Sequence, residues 1–216
     1  MLFIGICGAS GSGKTTLARE LVRSLGAKCL VINQDAYYID HPDLSFDERA
    51  QLNYDEPGIF DHDSLLQDVT ELMQGRPVTR KAYDFTQHRR DDGKDLLEPP
   101  QVLILEGIHA FYDSRLYDKM FLRLYINVEA DICLLRRMNR DMKERDRSLD
   151  SVTAQYLATV KPMYDKYIRN YGALADVIVT RGGKNARIVE ILAGYLRDAL
   201  EGRRTPVVVA ESDPLL

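Results

Sequence analysis

A glycine-rich loop close to the start of the chain restricts its fold more strongly than any other feature. The loop, Gly8-Ala9-Ser10-Gly11-Ser12-Gly13-Lys14-Thr15, follows an apolar run and precedes an amphipathic segment. This order matches the phosphate-binding pattern G-x-x-x-x-G-K-[ST] between a strand and a helix. Glycines let the backbone curl so that its N–H groups surround phosphate oxygens, and the helix N-terminus attracts negative charge. The loop therefore predicts a nucleotide-binding α/β fold.

Each residue type in the loop fits a task in binding a nucleoside triphosphate. Lys14 is expected to reach the β- and γ-phosphates, and the Thr15 hydroxyl is expected to bind Mg²⁺, which prefers oxygen ligands. We assign ATP binding to Gly8 through Thr15 together with Thr16. A glycine-rich turn that contains Lys-Thr by chance is the alternative, and the flanking strand and helix argue against it.

Apolar segments and amphipathic helices alternate along the rest of the chain. This alternation predicts a P-loop NTPase-type, mostly parallel five-stranded sheet with helices on both faces. The second strand is apolar throughout, as expected for a parallel strand covered on both faces. Pro162 should kink or split the long helix that contains it. The predicted strands cover 2–7, 29–32, 102–105, 122–128 and 176–179, and the later helices cover 64–73, 131–143, 151–171 and a closing segment after 183.

Two additions to this sheet are expected within a single domain over residues 1–200. A β-hairpin insertion at about 76–98 has a turn at Asp92-Gly93, and an arginine-rich lid covers about 140–150. The aromatic and apolar residues of the irregular stretch 39–63 argue that it is ordered. Residues 201–216 are predicted to form a disordered tail because polar and proline-containing flanks surround its short apolar run.

Composition limits the partners of this chain. Its 216 residues carry a formal net charge of −4, which gives no global attraction to nucleic acid or to an anionic membrane. No run is long enough to cross a bilayer, and no basic leader precedes the first strand. Cys7, Cys29 and Cys133 lie in apolar segments without C-x-x-C spacing, so we expect buried thiols in a reducing compartment. The expected location is the cytoplasm.

Two acidic residues follow predicted strands at the edge where ligands bind in open α/β sheets. Asp35 comes just after the second strand and is the candidate for orienting or deprotonating an acceptor hydroxyl. Its alternative role is to cap a turn. Glu106 ends the strand at 102–105 and is the candidate for a second metal group beside Thr15.

Arginines cluster along one predicted helix and the loop after it. Arg136, Arg137 and Arg140 stand at helical spacings, and Arg145 and Arg147 continue the cluster. A solvated face paired with acidic neighbours is the alternative. An acidic protein that binds a polyphosphate needs local positive charge, and the guanidinium fork suits phosphate. We therefore interpret the segment as a lid that closes over ATP.

Aromatic residues mark the first arm of the hairpin. On a regular strand Tyr83, Phe85 and Gln87 would face one way and His88 the other, unless a bulge intervenes. A half-buried hairpin whose Tyr and Phe only pack beneath it is the alternative, and a single histidine is usually a polar residue without a special role.

Several motifs together resemble the uridine kinase (uridine-cytidine kinase) family of P-loop kinases, over about residues 2–200. Beyond the loop, the resemblance rests on short motifs spread along the whole domain. They are Asp35-Ala36-Tyr37-Tyr38, Asn53-Tyr54-Asp55-Glu56-Pro57, Tyr83-Asp84-Phe85 with His88, Leu105-Glu106-Gly107-Ile108, Arg137-x-x-Arg140-Asp141, Glu144-Arg145-Asp146-Arg147, Gln155-Tyr156, Lys161-Pro162, 175–179 and Arg181-Gly182-Gly183.

The resemblance implies transfer of the γ-phosphate of ATP, or GTP, to the 5′-hydroxyl of uridine or cytidine with Mg²⁺, in pyrimidine salvage. It also implies a homotetramer inhibited by CTP or UTP, and a role for each matching residue. Asp35 would be the general base, and Tyr38 and Ile108 would line the nucleoside site. Asp55 would hold the ribose hydroxyls, and Tyr83 and His88 would contact the base. The nucleoside would also be held by Arg137, Arg147 and Gln155, and the phosphates would lie near Arg140 and Arg145.

This chain departs from the family pattern at three places. Asp146 stands where the family usually has glycine, His109 is a histidine that many relatives lack, and the tail lies outside the resemblance. These departures affect affinity and regulation more than the reaction.

Two other functions stay open on the sequence alone. A related small-molecule kinase acting on a ribulose phosphate or on pantothenate would need a site for phosphate or carboxylate, and would not need the Tyr83 and His88 pair. A non-catalytic nucleotide-binding switch or a degenerate kinase is the second alternative, although the chain has no N-K-x-D guanine motif.

Overall fold

A computed structural model describes residues 1–26, 29–145 and 147–203 of the chain. The tail from 204 onward, the substitution at Asp146 and part of the link before the second strand lie outside the described residues. Nine strands are present in the described ranges. They are β1 Leu2–Gly8, β2 Cys29–Asn33, β3 Val78–Thr79, β4 Tyr83–Asp84, β5 Arg89–Arg90, β6 Leu96–Leu97, β7 Val102–Gly107, β8 Leu122–Asn127 and β9 Val177–Thr180.

Five of these strands form the predicted central sheet, and every pairing in it is parallel. The order is β2-β7-β1-β8-β9, so the strand that leads into the glycine loop lies at the centre. Leu2 of β1 pairs with Val102 of β7, and Ile4 pairs with Leu122 of β8. The carboxyl ends of β1, β7 and β2 therefore meet at one edge of the sheet, where the predicted acidic residues follow them.

The second strand is covered on both faces as predicted, with Leu30 and Ile32 packed on one face and Cys29 and Val31 on the other, but it is less deeply buried than the inner strands. β2 forms one edge of the sheet, and only Ile32 among its residues is fully buried. Cys29 is accordingly half-buried, whereas Cys7 and Cys133 are buried as predicted. An edge position leaves one side of a strand without a neighbour, and an apolar sequence does not reveal that position.

Helices cover both faces of the sheet. Leu17 and Leu21 of the first helix and Leu192 of the last pack on one face, and Leu65 and Val69 of the third pack on the other. The helices are α1 Lys14–Leu25, α2 Phe46–Ala50, α3 His62–Met73, α4 Ser114–Tyr117, α5 Ala130–Glu144, α6 Leu149–Gln155, α7 Lys161–Lys166 and α8 Ala186–Leu200.

Proline splits the long helix predicted over 151–171. Helix α6 passes through a π-helical stretch, Tyr156–Val160, into α7, where Pro162 occupies the first turn. Proline has no N–H to donate and clashes with the preceding helical turn, so the backbone widens before it. A 3₁₀ segment, Ile168–Leu174, then returns the chain to the sheet.

The insertion is a double hairpin, and its inner turn is not where the sequence predicted it. β3 pairs with β6 and β4 pairs with β5, both antiparallel, so the chain reverses over residues 85–88. The Asp84 carboxylate accepts hydrogen bonds from the backbone N–H groups of Thr86 and Gln87, which ends the strand there. Asp92-Gly93 lies in the returning arm, where the Gly93 N–H donates to the Arg80 carbonyl.

The connection between β2 and α3 is ordered, as predicted from its aromatic residues. It contains helix α2 and two 3₁₀ turns, Gln34–Tyr37 and Pro57–Ile59. No helix in the described part of the chain is long and apolar enough to cross a membrane.

Candidate active site

A cleft of about 620 Å³ opens at the carboxyl edge of the sheet, and it gathers residues from the sequence motifs between the glycine loop and Gln155; the motifs from Lys161 onward do not line it. The P-loop, the two 3₁₀ connections, the hairpin and helices α5 and α6 all contribute to it. The predicted site residues that line it are Ser10, Lys14, Thr15, Asp35, Tyr38, Asp55, Tyr83, His88, Glu106, Ile108, Arg137, Arg140, Arg145, Arg147 and Gln155. The other residues of the loop do not line the cleft, and Thr16 lies on α1 beside Gly183.

The glycine loop needs its glycines for two separate reasons. Gly11 and Gly13 have positive φ angles of 83° and 104°. A Cβ at Gly11 would also lie 2.3 Å from the Cys133 carbonyl oxygen. The Lys14 ammonium is almost buried and donates 3.0 Å hydrogen bonds to the carbonyls of Gly8 and Ala9. The loop thus holds a lysine charge and the α1 N-terminus at the same place, which is an arrangement suited to phosphate.

Thr15 and Glu106 meet although they are far apart in sequence. The Thr15 hydroxyl donates a 2.7 Å hydrogen bond to Glu106 Oε1 because β1 and β7 are neighbours. Glu106 is buried, and burial raises the pKa of its carboxyl while Lys14 and Thr15 lower it. A cation bound beside Lys14 would add a second positive charge and favour the ionised form of the Glu106 carboxyl.

This pair can provide oxygen ligands for Mg²⁺. Magnesium is usually held by one or two protein oxygens, with substrate phosphates and waters completing an octahedron. A hydroxyl and a carboxylate 2.7 Å apart beside a phosphate-binding loop fit that pattern. No cluster of three or more His, Cys, Asp or Glu side chains suited to a metal occurs among the residues that the structure describes.

Asp35 projects into the cleft from the 3₁₀ turn that follows β2. The Asn33 side chain accepts a hydrogen bond from the Asp35 N–H, which fixes the turn. The Tyr38 hydroxyl lies 3.3 Å from Asp35 Oδ1 and 3.2 Å from the Tyr54 carbonyl. Asp35 is half-exposed and forms no ion pair with a described residue, so its carboxylate is open to the hydroxyl of a bound acceptor.

Asp55 lies in the same cleft but in a much drier environment. It is 4% exposed, and burial raises the pKa of its carboxyl, against the lowering effects of Arg137 and Thr159. Thr159 donates a 2.9 Å hydrogen bond to Asp55 Oδ2, and Arg137 Nη1 lies 3.8 Å from Oδ1. Asp55 is therefore a fixed acceptor with room for further donors.

One buried carboxylate organises the arginines. Asp141 is fully buried and pairs with Arg137 at 3.4 Å, Arg140 at 2.8 Å and Arg145 at 3.6 Å. The alternative of a solvated face paired with acidic neighbours is correct in part: three arginines pair with Asp141, but only Arg136, which lies toward Gly182, is exposed.

The arginine cluster joins the two halves of the cleft. Arg137 donates to Ser10 Oγ in the P-loop at 3.1 Å and to Gln155 Oε1 at 2.8 Å. Arg147 donates to the same Gln155 oxygen. The Arg145 guanidinium lies 3.8 Å above the ring of Phe85, so the segment between α5 and α6 touches the hairpin.

Aromatic rings form the wall opposite the arginines. Tyr38 makes edge contacts with Tyr54 and Tyr83 and stacks on Phe60 at 4.5 Å. His88 stacks on Tyr54 with centroids 5.0 Å apart. Burial lowers the pKa of His88, and Arg147 lowers it further, so the ring is held neutral.

The strand parity expected for the first hairpin arm is wrong. Tyr83 and His88 share one wall because the chain turns after Asp84 and His88 adopts a positive φ of 49°. Alternation holds only while the backbone stays extended. The exception that the prediction allowed was a bulge, whereas the structure has the turn of the hairpin at this point.

Several residues of the site escaped the sequence reasoning. Thr159 binds a residue that was predicted, Phe46 and Thr86 line the cleft, and Asp141 was named in a motif beside the arginines but given no role in the site. Threonine, phenylalanine and a helical aspartate are common residue types, so only their position in space marks them. The exception is Asp141, whose spacing of four from Arg137 and Arg145 is visible in the sequence.

The sequence matches the model of the phosphoribulokinase/uridine kinase family over residues 3–187. It is 44% identical over 201 residues to the uridine kinase of Limosilactobacillus reuteri (strain DSM 20016), covering 93% of this chain and 92% of that one. It is 40% identical over 203 residues to the uridine kinase of Ligilactobacillus salivarius (strain UCC118), covering 94% and 95%.

The fold itself resembles solved kinase structures. Phosphoribulokinase from Rhodobacter spheroides superposes with a TM-score of 0.55 at 16% identity, covering 83% of this chain and 69% of that one. At that identity the likeness concerns the fold alone, and it agrees with a parallel sheet flanked by helices around a phosphate-binding loop.

Proposed function

The chain belongs to the phosphoribulokinase/uridine kinase family, and from that premise we propose that it transfers the γ-phosphate of ATP to the 5′-hydroxyl of uridine or cytidine. The observation that carries the proposal is one cleft in which Asp35 faces the Lys14, Thr15 and Glu106 cluster, with an aromatic wall beside it. A phosphoryl transferase needs a nucleotide site, an acceptor site and a group that receives the hydroxyl proton.

Asp35 acts in this proposal as the general base. It takes or orients the proton of the 5′-hydroxyl, whose oxygen then attacks the γ-phosphorus while the bond to the β,γ-bridging oxygen breaks. Tyr38 holds the carboxylate by its 3.3 Å contact. Lys14 neutralises charge on the transferring group, and the loop N–H groups hold the departing ADP.

Thr15 and Glu106 would hold Mg²⁺ in this scheme. When bound, the ion neutralises phosphate charge and orients the β- and γ-oxygens. The protein's own part is to keep a hydroxyl and a carboxylate together beside the loop, and their 2.7 Å hydrogen bond supports that assignment.

The acceptor site lies between the aromatic wall and the arginines. Asp55 accepts hydrogen bonds from the ribose hydroxyls, and Arg137 and Arg147, tied through Gln155, hold the nucleoside from above. Tyr83 and His88 contact the base, with Tyr38 and Ile108 lining the site. The neutral His88 ring can distinguish the carbonyl of uridine from the amine of cytidine at C4.

Arg140 and Arg145 act as a lid over the phosphates. Water would otherwise accept the γ-phosphate, so a nucleoside kinase must exclude it during transfer. Arg140 lies 3.5 Å from Ser10 Oγ in the loop. We also propose a cytoplasmic homotetramer that binds a nucleoside and a nucleotide; light scattering after size-exclusion chromatography tests the assembly.

The proposed function is tested by measuring ADP release from Mg-ATP against six conditions: uridine, cytidine, adenosine, ribulose 5-phosphate, pantothenate and water alone. We expect ADP release with uridine or cytidine and with none of the other four conditions. Release with the sugar phosphate or pantothenate would keep the fold and the phosphate chemistry but discard the base contacts. No release with any acceptor would favour a nucleotide-binding switch. Repeating the panel with GTP identifies the donor.

A further inference from the structure

His109 is buried directly behind the acceptor site, two residues after β7. It is 1% exposed, and both ring nitrogens have partners. Nε2 lies 2.8 Å from the Asp55 carbonyl oxygen, and Nδ1 lies 2.9 Å from the Tyr171 hydroxyl. The ring therefore joins the backbone of a substrate-site residue to the 3₁₀ segment that returns to the sheet.

The chemistry of these partners decides which nitrogen carries the proton. A backbone carbonyl only accepts hydrogen bonds, so Nε2–H must be the donor to Asp55. Nδ1 of the neutral ring is then an acceptor, and the Tyr171 hydroxyl donates to it. The result is a one-way chain of hydrogen bonds from Tyr171 through His109 to the Asp55 backbone.

The backbone of His109 is held as firmly as its ring. Its N–H donates a 2.9 Å bond to the side-chain oxygen of Gln34, which is itself buried. Gln34 precedes Asp35, and its side chain packs against Gly107. A Cβ on Gly107 would lie only 2.2 Å from the Gln34 side-chain oxygen. Gly107 in turn follows Glu106, so the segments of all three cleft carboxylates meet at this histidine.

Ring packing prevents His109 from turning away. Phe60, Tyr112, Tyr167 and Tyr171 surround it in edge-on contacts with centroids 5.8 to 6.2 Å apart. An imidazole enclosed in this way has one orientation, and its donor points at the Asp55 carbonyl.

We propose that His109 is a positioning residue for nucleoside specificity: by donating to the Asp55 carbonyl, it holds the Asp55 carboxylate where the ribose hydroxyls bind. This inference rests on the proposed function, since it concerns how the same site recognises its acceptor. His109 itself touches no substrate. Its effect reaches the nucleoside only through Asp55, so it should depend on the ribose hydroxyls.

The test compares uridine with 2′,3′-dideoxyuridine, which keeps the base and the 5′-hydroxyl but lacks both hydroxyls that Asp55 would bind. His109→Leu removes the donor, and His109→Gln keeps an N–H at the end of a side chain of similar reach. Dissociation constants are measured by calorimetry for both nucleosides and for ATP, and kcat is measured with uridine.

We expect His109→Leu to weaken uridine binding about tenfold, with dideoxyuridine and ATP binding changed by less than about twofold. His109→Gln should restore most of the lost affinity. Asp55→Asn should cause the same selective loss, and the Asp55→Asn/His109→Leu double variant should show little further loss, because both changes act on one interaction.

Tyr171→Phe keeps the test decisive if His109→Leu fails to fold. It deletes one hydroxyl and leaves the rings in place, and a selective loss for uridine of about threefold is expected. Tyr117→Phe is the matched control, since it deletes a hydroxyl that donates to the Leu174 carbonyl at 3.1 Å, outside this chain of hydrogen bonds. It should leave both nucleosides unaffected.

Equal weakening of uridine and dideoxyuridine in the histidine and Tyr171 variants would show a general packing role and overturn the inference. Unchanged uridine affinity in these variants would do the same. Wild-type protein that neither binds nor phosphorylates uridine would overturn the proposed function as well, so the two failures are distinguishable.

Discussion

Two aspartates of the cleft differ in what surrounds them, and this difference separates their tasks. Asp35 is half-exposed, with a single tyrosine hydroxyl against it, whereas Asp55 is buried against a threonine and an arginine. A proton acceptor must meet its substrate without a competing partner. A group that holds a substrate gains from being fixed. The geometry favours Asp35 for the chemical step and Asp55 for binding.

Asp35→Asn removes the proton acceptor and keeps the shape of the side chain. We expect kcat to fall about 10²-fold or more while the dissociation constant for ATP stays within about twofold. Steady-state kinetics with uridine and ATP-binding calorimetry check both statements. Asp43→Asn, an exposed neighbour in the same connection, is the control. Near-normal turnover of Asp35→Asn would remove it from the role of base.

His88→Ala opens the aromatic wall where the ring stacks on Tyr54. The ratio of kcat/KM for uridine and cytidine should change about tenfold, and the KM for ATP should not change, because the ring lies on the acceptor side of the cleft. Gln87→Ala alters the adjacent exposed side chain and should have no effect. An unchanged nucleoside preference would make His88 an ordinary polar residue.

For single residues, the sequence identifies the candidate reactive residues better than it identifies the residues that hold them in place. Lys14 opens helix α1 after the glycine loop, Asp35 and Glu106 stand at the carboxyl ends of strands, and the structure brings all three together. Thr159 and Tyr171 could not be predicted, because nothing in their surroundings in the sequence indicates that they meet Asp55 and His109. The orientation of His88 depends on one backbone angle of 49°, which no periodicity encodes.

Among the elements, helix α5 carries the arginines and also the charge that holds them. Asp141 is the common partner of Arg137, Arg140 and Arg145, and its backbone carbonyl accepts the Arg147 N–H at 3.2 Å. The segment that we propose as a lid is therefore built outward from one buried carboxylate. The residues that follow Asp141 on the helix, Met142, Lys143 and Glu144, are exposed.

Asp141→Asn keeps the shape of the side chain but leaves the surrounding guanidinium groups without their counter-charge. We expect the free energy of unfolding to fall by about 3 kcal/mol and the KM for ATP to rise. Urea unfolding and steady-state kinetics measure these effects. Glu144→Gln removes an exposed charge from the same helix and should change neither. A stability within about 0.5 kcal/mol of wild type would contradict the role given to Asp141.

The long helices and strands could be predicted from the pattern of apolar residues, and the short ones could not. The strands of the sheet and helices α1, α3, α5 and α8 bury one regular stripe or run of residues, which a sequence displays. The two-residue strands of the hairpin and the π-helical stretch before Pro162 are set by local hydrogen bonds and sterics. The hairpin strands depend on Asp84 and the π-helical stretch on Pro162. The helix break at Pro162 was predicted correctly, whereas the hairpin turn after Asp84 was not.

Across the whole molecule, the stability should depend on pH through His109. Burial lowers the pKa of this histidine from 6.5 to about 4 in the folded protein. Between these values the unfolded chain binds a proton that the folded protein does not. The free energy of unfolding should therefore be fully retained above about pH 6.5, fall as the pH drops toward 4, and lose nothing more from this group below that.

Urea unfolding of wild type and His109→Gln at a series of pH values isolates this contribution. Glutamine does not titrate, so the difference between the two proteins should shrink between pH 6.5 and about 4. Groups that do not contact His109, such as His88, titrate in both proteins and cancel. A difference that stays constant with pH would mean that the histidine does not titrate in this way.

The Arg137 guanidinium contacts both proposed subsites of the cleft. It lies 3.1 Å from Ser10 on the nucleotide side and 3.8 Å from Asp55 on the acceptor side. Two ligands that share one rigid partner have coupled binding free energies, and the coupling is reciprocal. A non-hydrolysable ATP analogue should tighten uridine about fivefold, and uridine should tighten the analogue by the same factor. Arg137→Lys, which offers no fork, should bring both factors toward unity, whereas equal factors in wild type and variant would locate the coupling elsewhere.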